Sequence, residues 1–234
     1  MRPRDVVLAL LVTVCWGVNF VLIDIALREF PPFFLATLRF LFTAFPAILF
    51  VKRPRVPLRA LVSVGLLLGV GQFGLVFLAL HLGMPAGLAS IVVQAQAIFT
   101  LLFGAALLRE RLRRRVIVGT IIAASGLVVI GASGSGNVPL VALLLTIGSA
   151  ACWGAGNVAT RKAGAPGGLG LIVWASLVAS PLLFALSLVF DRPGAIWRSI
   201  TTPQVEPIAA AVLIVALASL FGYGVWTTLL RTYA

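Results

Sequence analysis

Acidic side chains, histidine and cysteine are nearly missing from this sequence. Its 234 residues include six Asp and Glu, one His and two Cys. Cys15 and Cys152 have no metal-ligand spacing, and no Cys/His cluster occurs. No nucleotide-binding glycine loop and no nucleophile–base pattern is present. Nor does any Ser/His, Asp/Asp or His-rich pairing fall within the apolar runs. The chain therefore reads as a non-enzyme that requires no metal or other cofactor. Charged residues make up 10% of the whole, against about 25% in soluble globular domains.

What fills the chain instead is apolar: 61% of residues, with a mean hydropathy of +1.15. Crossing a bilayer takes about 20 apolar residues. Eight stretches meet that rule: Val6–Leu27, Phe33–Val51, Ala60–Leu82, Pro85–Leu108, Val116–Ala132, Pro139–Thr160, Leu169–Phe190 and Ile208–Leu230. The first, following Arg2 and Arg4, resembles a signal peptide. It is too long for one and no small-residue cleavage site follows, so it reads as a retained span. The expected fold is an all-α polytopic membrane protein.

The net charge of +12 could suggest nucleic acid, but its distribution points elsewhere. Fourteen Lys and Arg lie at the N-terminus, in alternate connections and after the last span, and only Arg28, Arg192 and Arg198 lie on the other side. That asymmetry puts the N-terminus in the cytoplasm of a multi-pass inner (plasma) membrane protein. The lipid bilayer, and not nucleic acid, is the partner implied. The long outer segment from Asp191 to Pro207 carries Trp197, and whether it lies flat at the interface is left open.

Two rare triplets give the organisation. Cys15-Trp16-Gly17-Val18-Asn19-Phe20 in span one returns as Cys152-Trp153-Gly154-Ala155-Gly156-Asn157 in span six. Gly71-Gln72-Phe73-Gly74 in span three lines up with Phe221-Gly222-Tyr223-Gly224 in span eight. Spans one to five (residues 1–132) then form one unit, and residues 133–234 form a second that reaches its third helix. Five is odd, so the second unit enters the membrane from the opposite side, an inverted-topology repeat. Eight of an expected ten helices are present. In this register, counterparts of spans four and five would occupy about 50 residues beyond Ala234.

In this order and spacing, several motifs resemble the EamA-type branch of the drug/metabolite transporter superfamily. They are Trp16-Gly17-x-Asn19-Phe20, Leu38-Arg39-Phe40, Gly83-Met84-Pro85-Ala86-Gly87-Leu88-Ala89-Ser90, Arg109-Glu110-Arg111-Leu112, Gly119…Gly126, Trp153-x-x-Gly156-Asn157 and Gly222-Tyr223-Gly224-x-Trp226. The run Val93-Gln94-Ala95-Gln96-Ala97-Ile98-Phe99-Thr100 is most similar to exporters of amino acids and their metabolites, of the cysteine and O-acetylserine type. The resemblance implies ten helices in two inverted five-helix halves around a central substrate cavity. Many relatives have proline where this chain has Ala97, so a straighter span four is expected here.

The polar and aromatic residues inside the spans are the candidate substrate contacts. Trp16 and Asn19 share a helix face roughly 14 Å or more into the membrane. They either line a cavity or glue helices together, and the same two readings hold for Trp153 and Asn157. Gln94 and Gln96 stand about 200° apart on a helix, so at most one faces a given cavity, while Gln96 shares a stripe with Thr100. Gln72, Tyr223 and Trp226 are second-line contacts. Asp24 and Arg39 are charges within spans, read either as an ion pair tying the first two helices or as a proton site and a carboxylate anchor. Glu110, among Arg109, Arg111 and Arg113, reads as an ion-pair hub, and His81 as a solvated outer residue.

The expected function is efflux of small amino acids or their metabolites, by alternating access between the two repeats. An uncharged cavity lined by amides and Trp is expected to suit a small zwitterion. The alternatives are a carrier of another cargo (an amphiphilic drug or sugar conjugate) and a non-transporting membrane interaction protein. A homodimer is compatible with either.

Overall fold

The computed structural model describes residues 2–45, 47–109, 114–133, 138–162, 169–202 and 204–233. Every element among them is helical. In chain order they are α1 (Pro3–Ala26), α2 (Pro32–Ala44, then a 3₁₀ turn Ala47–Leu49), α3 (Leu58–His81), α4 (Ala86–Leu108), α5 (Arg114–Ser133), α6 (Leu140–Lys162), α7 (Leu169–Phe190), α8 (Pro193–Thr201) and α9 (205–233). Seven are long and apolar enough to cross a bilayer. The 20-residue α5 stands where the remaining expected span lies. In an apolar medium a helix satisfies its own backbone. Hydroxyls inside the spans do the same locally: Thr37, Thr43, Thr146 and Ser176 each donate to the carbonyl four residues earlier.

Three details refine the spans expected of the sequence. The α-helix of span two stops at Ala44, not Val51. Phe45 is extended (φ −111°, ψ 121°), the conformation imposed on a residue preceding proline, here Pro46. In span four a 3₁₀ turn at Val93–Ala95 ends two residues before Ala97 and separates the helical stretches Ala86–Val92 and Gln96–Leu108. The outer segment forms a helix of its own, α8, with Ser199 buried and Trp197 and Ile200 exposed.

α3 and α9 share a rarer feature. Each contains a stretch of π-helix, Gly65–Gly74 in α3 and Ile214–Phe221 in α9. Each widened turn offers a carbonyl to a facing helix. Ser149 Oγ donates to the Gln72 carbonyl at 2.7 Å, joining α6 to α3. Trp16 Nε1 donates to the Ala218 carbonyl at 3.1 Å, joining α1 to α9.

The core lies where α2, α3 and α7 cross, around Phe33, Phe40, Phe73, Phe77 and Leu183. α7 packs on α2 and α3, α6 on α3 and α4, and α1 on α9 and the start of α4. Without a hydrophobic force between helices in lipid, such contacts depend on close packing of small residues. Gly69 meets Ala179, and a Cβ at Gly65 would lie 2.9 Å from the Ala175 carbonyl oxygen. A Cβ at Gly154 of α6 would lie 2.6 Å from Phe99 Cβ of α4, whereas Gly17 on α1 has nothing within 4 Å.

Candidate functional site

A cavity of about 600 Å³ opens between the helices, within the range of small-molecule sites. Seven helices wall it: α1 gives Trp16 and Asn19, α2 Arg39, α3 Gln72, α4 Gln94, α5 Ala123, α6 Ser149 and Trp153, and α9 Tyr223. Trp16 serves as wall and as glue. Besides its bond to Ala218, its ring packs against Tyr223 and Trp226 at centroid separations of 5.7 and 5.6 Å.

Six of the nine candidate contacts line this cavity: Trp16, Asn19, Gln72, Gln94, Trp153 and Tyr223. The other three stand elsewhere. Asn157 Nδ2 donates to Gln96 Oε1 at 3.2 Å and to Thr100 Oγ1 at 3.1 Å, so Asn157 and Gln96 tie α6 to α4 beside the cavity. Trp226 backs Trp16 and is partly exposed. The physical reason is helical phase. Asn157 follows Trp153 by four residues whereas Asn19 follows Trp16 by three, a difference of about 100°.

Asp24 and Arg39 do not form the ion pair. Arg39, 4% exposed, donates from Nη1 to Asn19 Oδ1 at 3.3 Å, and its guanidinium lies 4.1 Å from the Phe73 ring centroid. Asp24 lies five residues past Asn19, about 140° round α1, away from the side on which Asn19 meets Arg39. Arg28 and Glu206 form an ion pair at 4.0 Å, on the surface. The uncharged cavity expected from the sequence is therefore corrected by the presence of Arg39 in its wall. Glu110 lies outside the described residues. Ser149 and Phe73 were not among the sequence candidates. Ser149 stands four residues before Trp153, the same-face spacing that singled out the Trp–Asn pairs.

A second cavity, of about 740 Å³, lies between the ends of α1, α3 and α7, the start of α2 and α8, and His81, Arg198 and Asp191 line it. His81 is exposed there. Asp191 accepts the Phe34 backbone N–H at 2.8 Å, near the start of α2. Burial pushes its carboxyl above the usual 3.8, partly offset by that hydrogen bond.

The EamA-like transporter family model matches residues 4–132. A protein of Escherichia coli (strain K12) described as "Probable amino-acid metabolite efflux pump" is 41% identical over the whole of this chain and 80% of its own length. Its counterpart in Salmonella typhimurium matches equally well. The inner membrane transporter YedA of Escherichia coli (strain K12), described as uncharacterized, is 32% identical over 75% of this chain and 59% of its own length. No solved structure matches. The motifs in the first five helices, the family match over 4–132 and the end-to-end similarity to these membrane proteins agree: the chain belongs to the EamA-like transporter family.

Proposed function

We propose that this protein exports small amino acids or their metabolites across a prokaryotic inner membrane, with its N-terminus in the cytoplasm. The observation that carries the reading is a metabolite-sized cavity lined by both Trp16 and Trp153, the two echoing tryptophans. The efflux pumps to which the whole chain is similar favour an amino-acid metabolite as cargo.

The packing supports an inverted repeat and, through it, alternating access. Exchanging α1 with α6, α2 with α7 and α3 with α9 maps the α1–α9 contact onto α6–α3, and α2–α9 onto α7–α3. The π stretches of α3 and α9 correspond under the same exchange. Substrate would sit between residues 1–132 and 133–234, and rocking of one unit against the other would open the cavity to each side in turn. Reconstitution in proteoliposomes and counterflow of labelled cysteine and O-acetylserine test this. Saturable exchange is the expected result; no exchange of either, or of any other amino-acid derivative, removes the reading.

A further inference from the structure

We propose that Arg39 is the carboxylate receptor of the central cavity. The cavity would then recognise a small monocarboxylate by that group and have no side chain dedicated to an ammonium. The proposal rests on the transporter reading above and specifies its cargo.

Arg39 is a cation whose surroundings leave its charge unanswered. It is 4% exposed, it lines the cavity, and no carboxylate among the described residues lies within 4.0 Å of it. A guanidinium has five N–H donors. Asn19 Oδ1 accepts from Nη1, and the Phe73 face covers one side of the plane. Both contacts hold the group in place without neutralising it. A buried charge is costly unless it is paired and hydrogen-bonded. The planar fork is suited to bidentate capture of a carboxylate, so a carboxylate ligand entering the cavity would supply the missing counter-charge.

The rest of the wall points to the remainder of the ligand. Among the described residues no Asp or Glu lines the cavity, which leaves an ammonium the aromatic faces of Trp16, Trp153 and Tyr223 and neutral amide and hydroxyl oxygens, but no counter-charge. A free amino group would be desolvated there without an acidic partner, whereas an acylated one would meet the amides of Gln72 and Gln94 at no such cost. The charge is also single. The residue 137 positions after Arg39, the same offset that relates Trp16 to Trp153, is Ser176 in α7, whose hydroxyl donates to the Ile172 carbonyl. A second carboxylate would have no equivalent anchor.

The test uses the purified chain in lipid nanodiscs, with intrinsic tryptophan fluorescence reading ligand binding and proteoliposome counterflow measured separately. The probes are N-acetylserine, which has a carboxylate and no ammonium, and serinamide, which has the reverse. N-acetylserine is expected to bind saturably and serinamide about tenfold more weakly or worse. Arg39→Met should abolish that preference, and Arg39→Lys should retain part of it. Equal binding of the two probes by the native chain overturns the proposal, as does no saturable binding of N-acetylserine or an unchanged preference in Arg39→Met. If Arg39→Met does not fold, the comparison of ligands on the native chain still decides. Selective N-acetylserine binding without counterflow of any substrate would remove the transporter reading and leave the receptor standing. Counterflow of both probes alike would do the opposite.

Discussion

Trp16 Nε1 donates to the Ala218 carbonyl at 3.1 Å, linking residues 202 positions apart in the chain. The bond exists because α9 widens into a π-helix at Ile214–Phe221, and a widened turn leaves a carbonyl that a side chain can reach. The same tryptophan walls the cavity. A cavity wall and a helix junction therefore share one side chain. Trp16→Phe keeps an aromatic ring against Tyr223 and Trp226 but loses the N–H. A loss of about 1 kcal/mol is expected, read as a lower unfolding midpoint in detergent; an unchanged midpoint would show that the bond contributes nothing.

Gly17 and Gly154 should respond oppositely to the same change. Gly154→Ala places a methyl 2.6 Å from Phe99 Cβ and 2.7 Å from the Thr100 backbone nitrogen, which forces α4 and α6 apart at a cost of about 1–3 kcal/mol. Gly17→Ala meets nothing within 4 Å and gains up to about 1 kcal/mol of helix propensity. Unfolding midpoints of the two variants should move in opposite directions, and equal destabilisation would contradict this geometry.

Asn157 and Gln94 separate stability from binding. Asn157→Ala removes two hydrogen bonds between α6 and α4 and is expected to cost about 1 kcal/mol with little change in apparent substrate affinity. Gln94→Ala, at the cavity wall, should weaken apparent affinity with little effect on the midpoint. Counterflow titrations paired with melting curves check both, and a pure affinity loss in Asn157→Ala would place that amide in the substrate path.

Asp191 predicts a pH dependence. Its carboxyl is pushed above 3.8 chiefly by burial. The folded state then holds the proton more tightly than the unfolded state. The stabilisation due to this proton is complete below the unfolded value and is lost as pH rises through the raised folded value. Asn at this position can still accept the Phe34 N–H without carrying charge. Asp191→Asn should therefore flatten the decline of the melting temperature as the pH rises above about 3.8. A variant whose profile overlays the native one would exclude Asp191 as the titrating group.

Asp24→Asn should leave transport and its response to a pH gradient unaltered. Asp24 neither lines the cavity nor pairs with Arg39. Proteoliposome uptake with and without an imposed gradient measures this, and a lost proton response in the variant would return Asp24 to the mechanism.

The positions of the helices were legible in the chain because burial in lipid is a one-dimensional requirement. A run of about 20 apolar residues crosses a bilayer wherever it occurs. Trp16 and Trp153, singled out by the triplet they share, both stand in the cavity wall. Proline chemistry accounts for Phe45 turning extended before Pro46, though apolar length alone carried span two on to Val51.

Only the tertiary structure decided which polar group meets which. Asn19 and Asn157 occupy matching positions in two echoing motifs, yet one residue of extra spacing sends Asn19 to Arg39 and Asn157 to Gln96 and Thr100. Arg39 and Asp24 were matched by depth, but pairing also depends on azimuth, which is fixed by how α1 packs on α9 and the start of α4. The carbonyls offered by the π turns of α3 and α9 likewise meet Ser149 and Trp16 only once α6 and α1 are packed beside them. Hydropathy is additive along the chain and can be read residue by residue. Helical phase, and the charge left without a partner inside the cavity, exist only once the helices are in contact.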